Sequence, residues 1–151
     1  MIALIQRVTR ASVVVEGKVI GEIKNGLLVF LGIAATDTSN TIEWLSKKIV
    51  GLRIFSDQDG KMNFSVKDID ADILLVSQFT LYANVKKGNR PSFTDSAPPS
   101  MAIPLYEQMI QALEDKLEKP IQTGEFGADM KIDLLNDGPV TICIDTQQYG
   151  I

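Results

Sequence analysis

The chain has 151 residues, 45% apolar and 23% charged, which is enough for one well-buried domain and argues against disorder along its length. A net charge of −4 argues against a protein that coats nucleic acid electrostatically, while leaving room for a local basic patch that grips one end of an RNA. With no histidine and a single cysteine, Cys143, a Ser-His-Asp or Cys-His site, a histidine- or thiolate-rich zinc site and an internal disulfide are all excluded.

In chain order, Ile2 to Val8 and Ala11 to Val15 read as strands, with a turn at Glu16-Gly17-Lys18 and a third strand over Val19 to Ile23. Asn25-Gly26 is a hairpin signal, because a tight primed turn needs positive φ at both central residues. Leu27 to Ile33 is an almost wholly apolar strand, suited to burial on both faces. Asn40 opens a helix with Glu43 as reciprocal cap, and Ile42, Leu45, Ile49 and Leu52 share one face. Asp57 to Lys61 is a turn, and Ile73 to Val76 starts a strand that runs into Ser77-Gln78-Phe79-Thr80-Leu81.

Residues 84–99, with Gly88, Pro91, Pro98 and Pro99, read as a long surface loop of the kind that carries function. A second helix starts near Ser100 and ends before Pro120, with an apolar stripe of Leu105, Met109, Ala112, Leu113 and Leu117 and with Pro104 tolerated in or near its first turn. The last third reads as a hairpin: Met130, Ile132 and Leu134 alternate with polar residues, then Asn136-Asp137-Gly138-Pro139 turns the chain, then Val140, Ile142 and Ile144 alternate again. The expected architecture is a single α+β domain over residues 1–151, a mostly antiparallel β-sheet or barrel-like core with two main helices.

Met1 to Arg7 lacks the basic-then-apolar layout of a signal peptide, and the longest apolar run, Leu27 to Ala35, is too short for a bilayer, which takes about 20 residues. The expectation is a cytoplasmic protein with no membrane partner.

Three segments could carry chemistry. Ser77 to Thr80 ends an apolar strand in hydroxyls and an amide, where free backbone N–H groups could meet a developing oxyanion; the plain alternative is a strand leaving the core. A serine or threonine with no base nearby is a poor nucleophile, so proton chemistry would have to come from carboxylates, lysine, backbone dipoles or the substrate. Gly138-Pro139 in the Asn136 to Thr141 segment is a candidate cis peptide, or an ordinary turn. Lys86, Lys87 and Arg90, with Phe93 close behind, could hold phosphates and stack a base, or could be a solvated loop. Cys143 lies out of phase with the apolar positions of its strand and reads as a structural or surface thiol rather than a nucleophile, since no histidine can activate it.

Taken together, Ser77 to Leu81 (SQFTL), Asn136 to Thr141 (an NxGPVT pattern), Ala3 to Val13 and Lys87 to Phe93 make the chain resemble the D-aminoacyl-tRNA deacylases over essentially its whole length. The resemblance implies a homodimer with two interface sites, no cofactor and no metal, acting on the 3′ end of a tRNA that carries a D-amino acid, and not on DNA. Ser77, Gln78, Phe79 and Thr80 would line one subunit's pocket. Gly138 and Pro139 of the other would form a cis dipeptide that holds the substrate ammonium and collides with an L side chain. Arg7 and Asn136 would support that element, and Lys86, Lys87 and Arg90 would touch the tRNA. Broad tolerance of D side chains, cleavage of glycyl-tRNA and assistance by the 2′-OH of the terminal adenosine follow from the same picture, with Thr80 as covalent nucleophile the alternative. Other readings are a noncatalytic RNA-binding module, a relative of the archaeal threonyl-tRNA synthetase editing domain that clears L-serine, and a hydrolase using Cys143.

Overall fold

The computed structural model describes all of residues 1–151. Its frame is one strand: β1, Ile2–Val15, is paired along one edge by β8, Lys131–Asp145. The other edge is shared end to end by β3, Gly26–Gly32, which pairs residues 2–8, and β2, Lys18–Ile23, which pairs residues 11–15. The sheet continues through β6, Asp72–Ser77, to β7, Gln122–Thr123, and these two joints (β3 to β6 and β6 to β7) are parallel. The curl brings β2 back to β7: a β-carbon at Gly21 would sit 2.6 Å from the Thr123 carbonyl oxygen. A small hairpin, β4 (Phe55–Ser56) and β5 (Met62–Phe64), closes around the Asp57 to Lys61 turn, where the Asp57 carboxylate accepts from the Asp59 and Lys61 N–H groups. The expected barrel-like α+β core with two main helices is what the chain forms.

The curled sheet separates two apolar bodies. Ala3, Ile5, Leu27, Val29, Leu31, Ile73 and Leu75 face α1 (Ser39–Gly51) and α2 (Pro99–Leu117). Val8, Ala11, Val13, Leu28, Leu74 and Val76 fill the inside of the curl. Alternate residues of β3 and β6 therefore serve opposite cores, which is why both strands read as continuous apolar runs. The helices bury Ile42, Leu45 and Ile49 from α1 and Met109, Leu113 and Leu117 from α2, as the spacing predicts, with Ala102 and Tyr106 added to the stripe. No helix is long and apolar enough to cross a membrane.

Four local expectations are corrected. Asn25-Gly26 joins two strands that both pair with β1 and not with each other; the tight turn is Glu16-Gly17, with φ of 49° and 77°. Gly26 is required by space instead, since a β-carbon there would lie 2.0 Å from the Asp72 carbonyl oxygen. The α1 cap is formed by Thr38 and Thr41, two residues upstream of the expected pair, while Glu43 faces Lys116 across the helices at 2.7 Å. Pro104 lies in the second turn of α2, past the first-turn position where a missing N–H is free of cost.

The fourth correction is the largest. The last third is not a hairpin but one strand, β8, both of whose halves pair with β1. Gln6 faces Thr141 and Val8 faces Asn136, so Arg7 alone stands opposite Asp137, Gly138, Pro139 and Val140. The segment read as a turn is a wide bulge, which uses the same Asn, Gly and Pro chemistry that a turn does.

Candidate functional site

The polar segment after β6 is placed by the strand behind it. Ser77 still pairs in register with Leu31, and the Gln78 N–H donates to the Leu31 carbonyl at 2.8 Å. The chain then closes a 3-10 turn over Phe79–Tyr82, held by Leu81 N–H to the Gln78 carbonyl at 3.3 Å and Ala83 N–H to the Thr80 carbonyl at 3.0 Å. The Gln78 side-chain amide donates to the Thr80 hydroxyl. The first amides of such a turn, Phe79 and Thr80, have no partner within it.

Beside this turn opens a cavity of about 580 Å³. Ser77, Gln78 and Phe79 form one lip, Phe93 and Ser96 to Pro99 a second wall, and Phe126 to Met130 a third, over a floor of Leu31 and Val76. Phe79 is 57% exposed and meets Phe93 edge to face, with ring centroids 5.1 Å apart. Thr80 stands next to the lip without lining the cavity. The only ionisable side chain in the wall is Asp129, paired with Lys131 at 2.8 Å. The arrangement offers apolar surface, hydroxyls and amides, with no residue built as a general base.

The second motif is organised from beneath. Arg7 is buried, 7% exposed, and donates from Nη1 to the Ile54 carbonyl at 2.5 Å and from Nε to the Asp137 carbonyl at 3.2 Å, with the Asp137 carboxylate at 3.1 Å. The Asn136 side-chain oxygen accepts from the Val140 N–H at 3.2 Å and spans the bulge. Gly138 and Pro139 are left exposed, and the bond between them is cis. Within one chain neither residue lines the cavity beside Ser77.

The basic residues are placed apart from both. Asn84 and Ser92 exchange backbone hydrogen bonds of 2.8 and 2.9 Å, which ties off residues 84–92 as a tab. Lys86, Lys87 and Arg90 sit on it exposed, outside every ion pair of the chain. Lys86 also edges a second, more open concavity of about 830 Å³ on the far side of the 3-10 turn, lined in part by Tyr82, Thr94 and Asp145. Cys143 is an exposed thiol. The wall from Phe126 to Met130 was missed in the sequence, although an aromatic residue set between Gly124 and Gly127 was a visible cue.

Residues 4–145 match the family model described as D-Tyr-tRNA(Tyr) deacylase. The chain belongs to the D-aminoacyl-tRNA deacylase family. Proteins named D-aminoacyl-tRNA deacylase from Flavobacterium johnsoniae and Cytophaga hutchinsonii are 55% and 58% identical to it, over 97% of this chain and 98% of each relative. One from Thermotoga petrophila is 53% identical over 98% of this chain and 99% of its own. Among solved structures, a c-Myc DNA unwinding element binding protein superposes with a TM-score of 0.90 at 44% identity, covering 96% of this chain and 98% of that one. A probable eukaryotic D-amino acid tRNA deacylase shares the fold, with a TM-score of 0.82 at 17% identity over 95% and 98% of the two chains. As a family, the deacylases are hydrolases of the aminoacyl ester bond, and Ser77 to Thr80 and Asn136 to Pro139 lie inside the matched span.

Proposed function

We propose that this chain hydrolyses the ester of D-aminoacyl-tRNA to free D-amino acid and tRNA. The observation that carries the reading is a hydroxyl- and amide-bearing turn at the lip of an apolar cavity of about 580 Å³, in a chain of this family. Water adds to the ester carbonyl, the resulting oxyanion is met by the Phe79 and Thr80 N–H groups, and the carbon–oxygen bond to the ribose breaks with the proton delivered to the leaving oxygen. The 2′-OH of the terminal adenosine assists that proton transfer, which suits a site with no histidine and no cofactor. Thr80 positions rather than attacks, because no base adjoins its hydroxyl; its partner is the Gln78 amide.

The acting form is a homodimer. Gly138 and Pro139 project from β8 with Arg7 locked beneath them and take no part in their own chain's cavity, which supports a role in the cavity of a second copy. There their carbonyl oxygens hold the substrate ammonium, and an L side chain collides with them while a D side chain points away. Glycine has nothing to collide, so glycyl-tRNA is also cleaved. Lys86, Lys87 and Arg90 meet tRNA phosphates in an otherwise acidic chain that acts in the cytoplasm.

Deacylation of matched D- and L-tyrosyl-tRNA, with a chelator present, tests the reading. The D ester should be lost and the L ester spared, and a tRNA ending in 2′-deoxyadenosine should be cleaved far more slowly. Equal rates on both enantiomers overturn the chiral assignment, and a sedimentation mass of one chain at assay concentration overturns the dimer. A second reading, a nucleic-acid-binding module without turnover, is favoured by the basic tab and by the name of the 44% identical structure. Retention of tRNA with no loss of either ester selects it.

A further inference from the structure

Gly32 is the last residue of β3 and is buried directly under the turn that carries Gln78, Phe79 and Thr80. A β-carbon there would lie 3.1 Å from Leu81 Cβ, 3.2 Å from the Gln78 carbonyl oxygen and 3.3 Å from Tyr82 Cδ2. All three atoms belong to the same short turn. Its φ is outside the positive region, so glycine is needed here for room and not for backbone freedom. Two of the three neighbours are a backbone oxygen and a β-carbon, which cannot swing aside as the end of a long side chain does. The turn is also tied down next door, by the Gln78 N–H to the Leu31 carbonyl. An alanine at position 32 would therefore be accommodated by moving the turn as a body, by a few tenths of an ångström.

We propose that Gly32 is a positioning residue: by carrying no side chain it seats the Gln78–Tyr82 turn on the end of β3 and so fixes where the Phe79 and Thr80 amides and the Thr80 hydroxyl stand relative to the cavity. The proposal rests on the deacylase reading for its kinetic consequence but not for its structural one. Misplacing an aligned group by about 1 Å costs on the order of 100-fold in rate, so a shift of a few tenths costs about tenfold. The loss falls mainly on kcat, because the other two walls of the cavity, Phe93 with Ser96 to Pro99 and Phe126 to Met130, and the basic tab stay where they are. Gly51 is the matched control: it ends α1 with nothing within 4 Å of an added β-carbon.

The test compares wild type, Gly32→Ala and Gly51→Ala by steady-state cleavage of D-tyrosyl-tRNA, thermal unfolding and amide chemical-shift mapping. Gly32→Ala should lose about tenfold in kcat with KM within about twofold of wild type, and its shift changes should centre on Gln78 to Tyr82. Gly51→Ala should match wild type. An unchanged kcat, a loss expressed in KM alone, or a loss that follows the unfolded fraction overturns the proposal. If Gly32→Ala does not fold, Tyr82→Leu, which withdraws the ring edge resting on Gly32, should show the same kcat-selective loss, and an intact kcat there overturns it. A wild-type protein inert toward the D ester sinks the deacylase reading alone; the shift map still decides whether Gly32 seats the turn.

Discussion

The Ser77–Thr80 turn grows out of β6, where Ile73, Leu74, Leu75 and Val76 are fully buried between two cores. The Asp137–Val140 bulge interrupts β8, whose outward residues face solvent, and rests on the buried Arg7 side chain and on the Asn136 side-chain oxygen that spans it. The turn inherits its place from packing on both faces of its strand. The bulge packs through Val140 alone, so its place is set mainly by polar contacts: those of the Arg7 guanidinium with the Asp137 carbonyl and carboxylate, and the Val140 N–H donating to the Asn136 side-chain oxygen. Side-chain changes in the turn should therefore alter chemistry while leaving stability alone, whereas a change beneath the bulge should alter both.

Arg7→Met gives the largest expected effect. It keeps much of the buried volume but strands the Ile54 and Asp137 carbonyls, each of which loses a charge-assisted partner. A loss of about 3 kcal/mol in urea unfolding is expected, together with loss of D-over-L selectivity. A change under about 0.5 kcal/mol would show that the bulge holds itself and would break the contrast. Gly138→Ala comes next. Gly138 has φ of 126°, a backbone region costing other residues about 1–3 kcal/mol, and an added β-carbon would meet a Val140 methyl at 2.8 Å and Arg7 Nη2 at 3.1 Å. Stability should fall by about 2 kcal/mol and the ratio of D to L cleavage by about tenfold or more. An unchanged ratio would remove the bulge from substrate selection.

How far each region was legible follows from the same difference. The end of β6 was legible, because an apolar run that turns polar at Ser77 reads as a strand leaving a core, whereas a role for that end in a site entered only through the family likeness. Both helices were legible from Ile42, Leu45, Ile49, Met109 and Leu113, since period 3.6 leaves no other reading. The bulge was misread because alternation and turn residues are local, while the choice between a hairpin and a bulged strand depends on what lies alongside. A β1 of 14 residues offers one continuous edge to both halves of β8, and nothing in residues 130–145 records that length. Asn25-Gly26 failed for the same reason: Gly26 answers to the Asp72 carbonyl, a neighbour 46 positions away in sequence (72 − 26). The role of Arg7 was legible only through the family likeness, as its burial depends on Ile54 and Asp137 arriving together.

Thr80→Ala sharpens the contrast from the other side. The hydroxyl is exposed and its partner, the Gln78 amide, can turn to water. Stability should stay within about 0.5 kcal/mol of wild type, and kcat should fall by less than about tenfold, which is about 1.4 kcal/mol of barrier. Abolished turnover with tRNA binding intact would instead make Thr80 the nucleophile.

The smallest effect has the opposite sign. Two tyrosines back the site, and only one is satisfied. The Tyr106 hydroxyl donates to the Leu75 carbonyl at 2.9 Å, whereas the Tyr82 hydroxyl is buried with no partner. Tyr106→Phe should cost about 1 kcal/mol, because Leu75 keeps its second donor, the Gly124 N–H at 2.9 Å. Tyr82→Phe should gain about 1 kcal/mol by removing an unmet donor. Burial, and then the charges of Asp37 and Asp145, push the Tyr82 phenol well above its ordinary range. Folded Tyr82 stays neutral where an unfolded tyrosine ionises, near pH 10, so the wild-type protein loses stability as pH rises through that point and the phenylalanine variant does not lose that share. The advantage of Tyr82→Phe should thus be level from pH 6 to about 9 and grow above about 10. An advantage that shrinks in alkali would mean that the hydroxyl finds a donor when ionised, and would place a charged or polar group within reach of Tyr82.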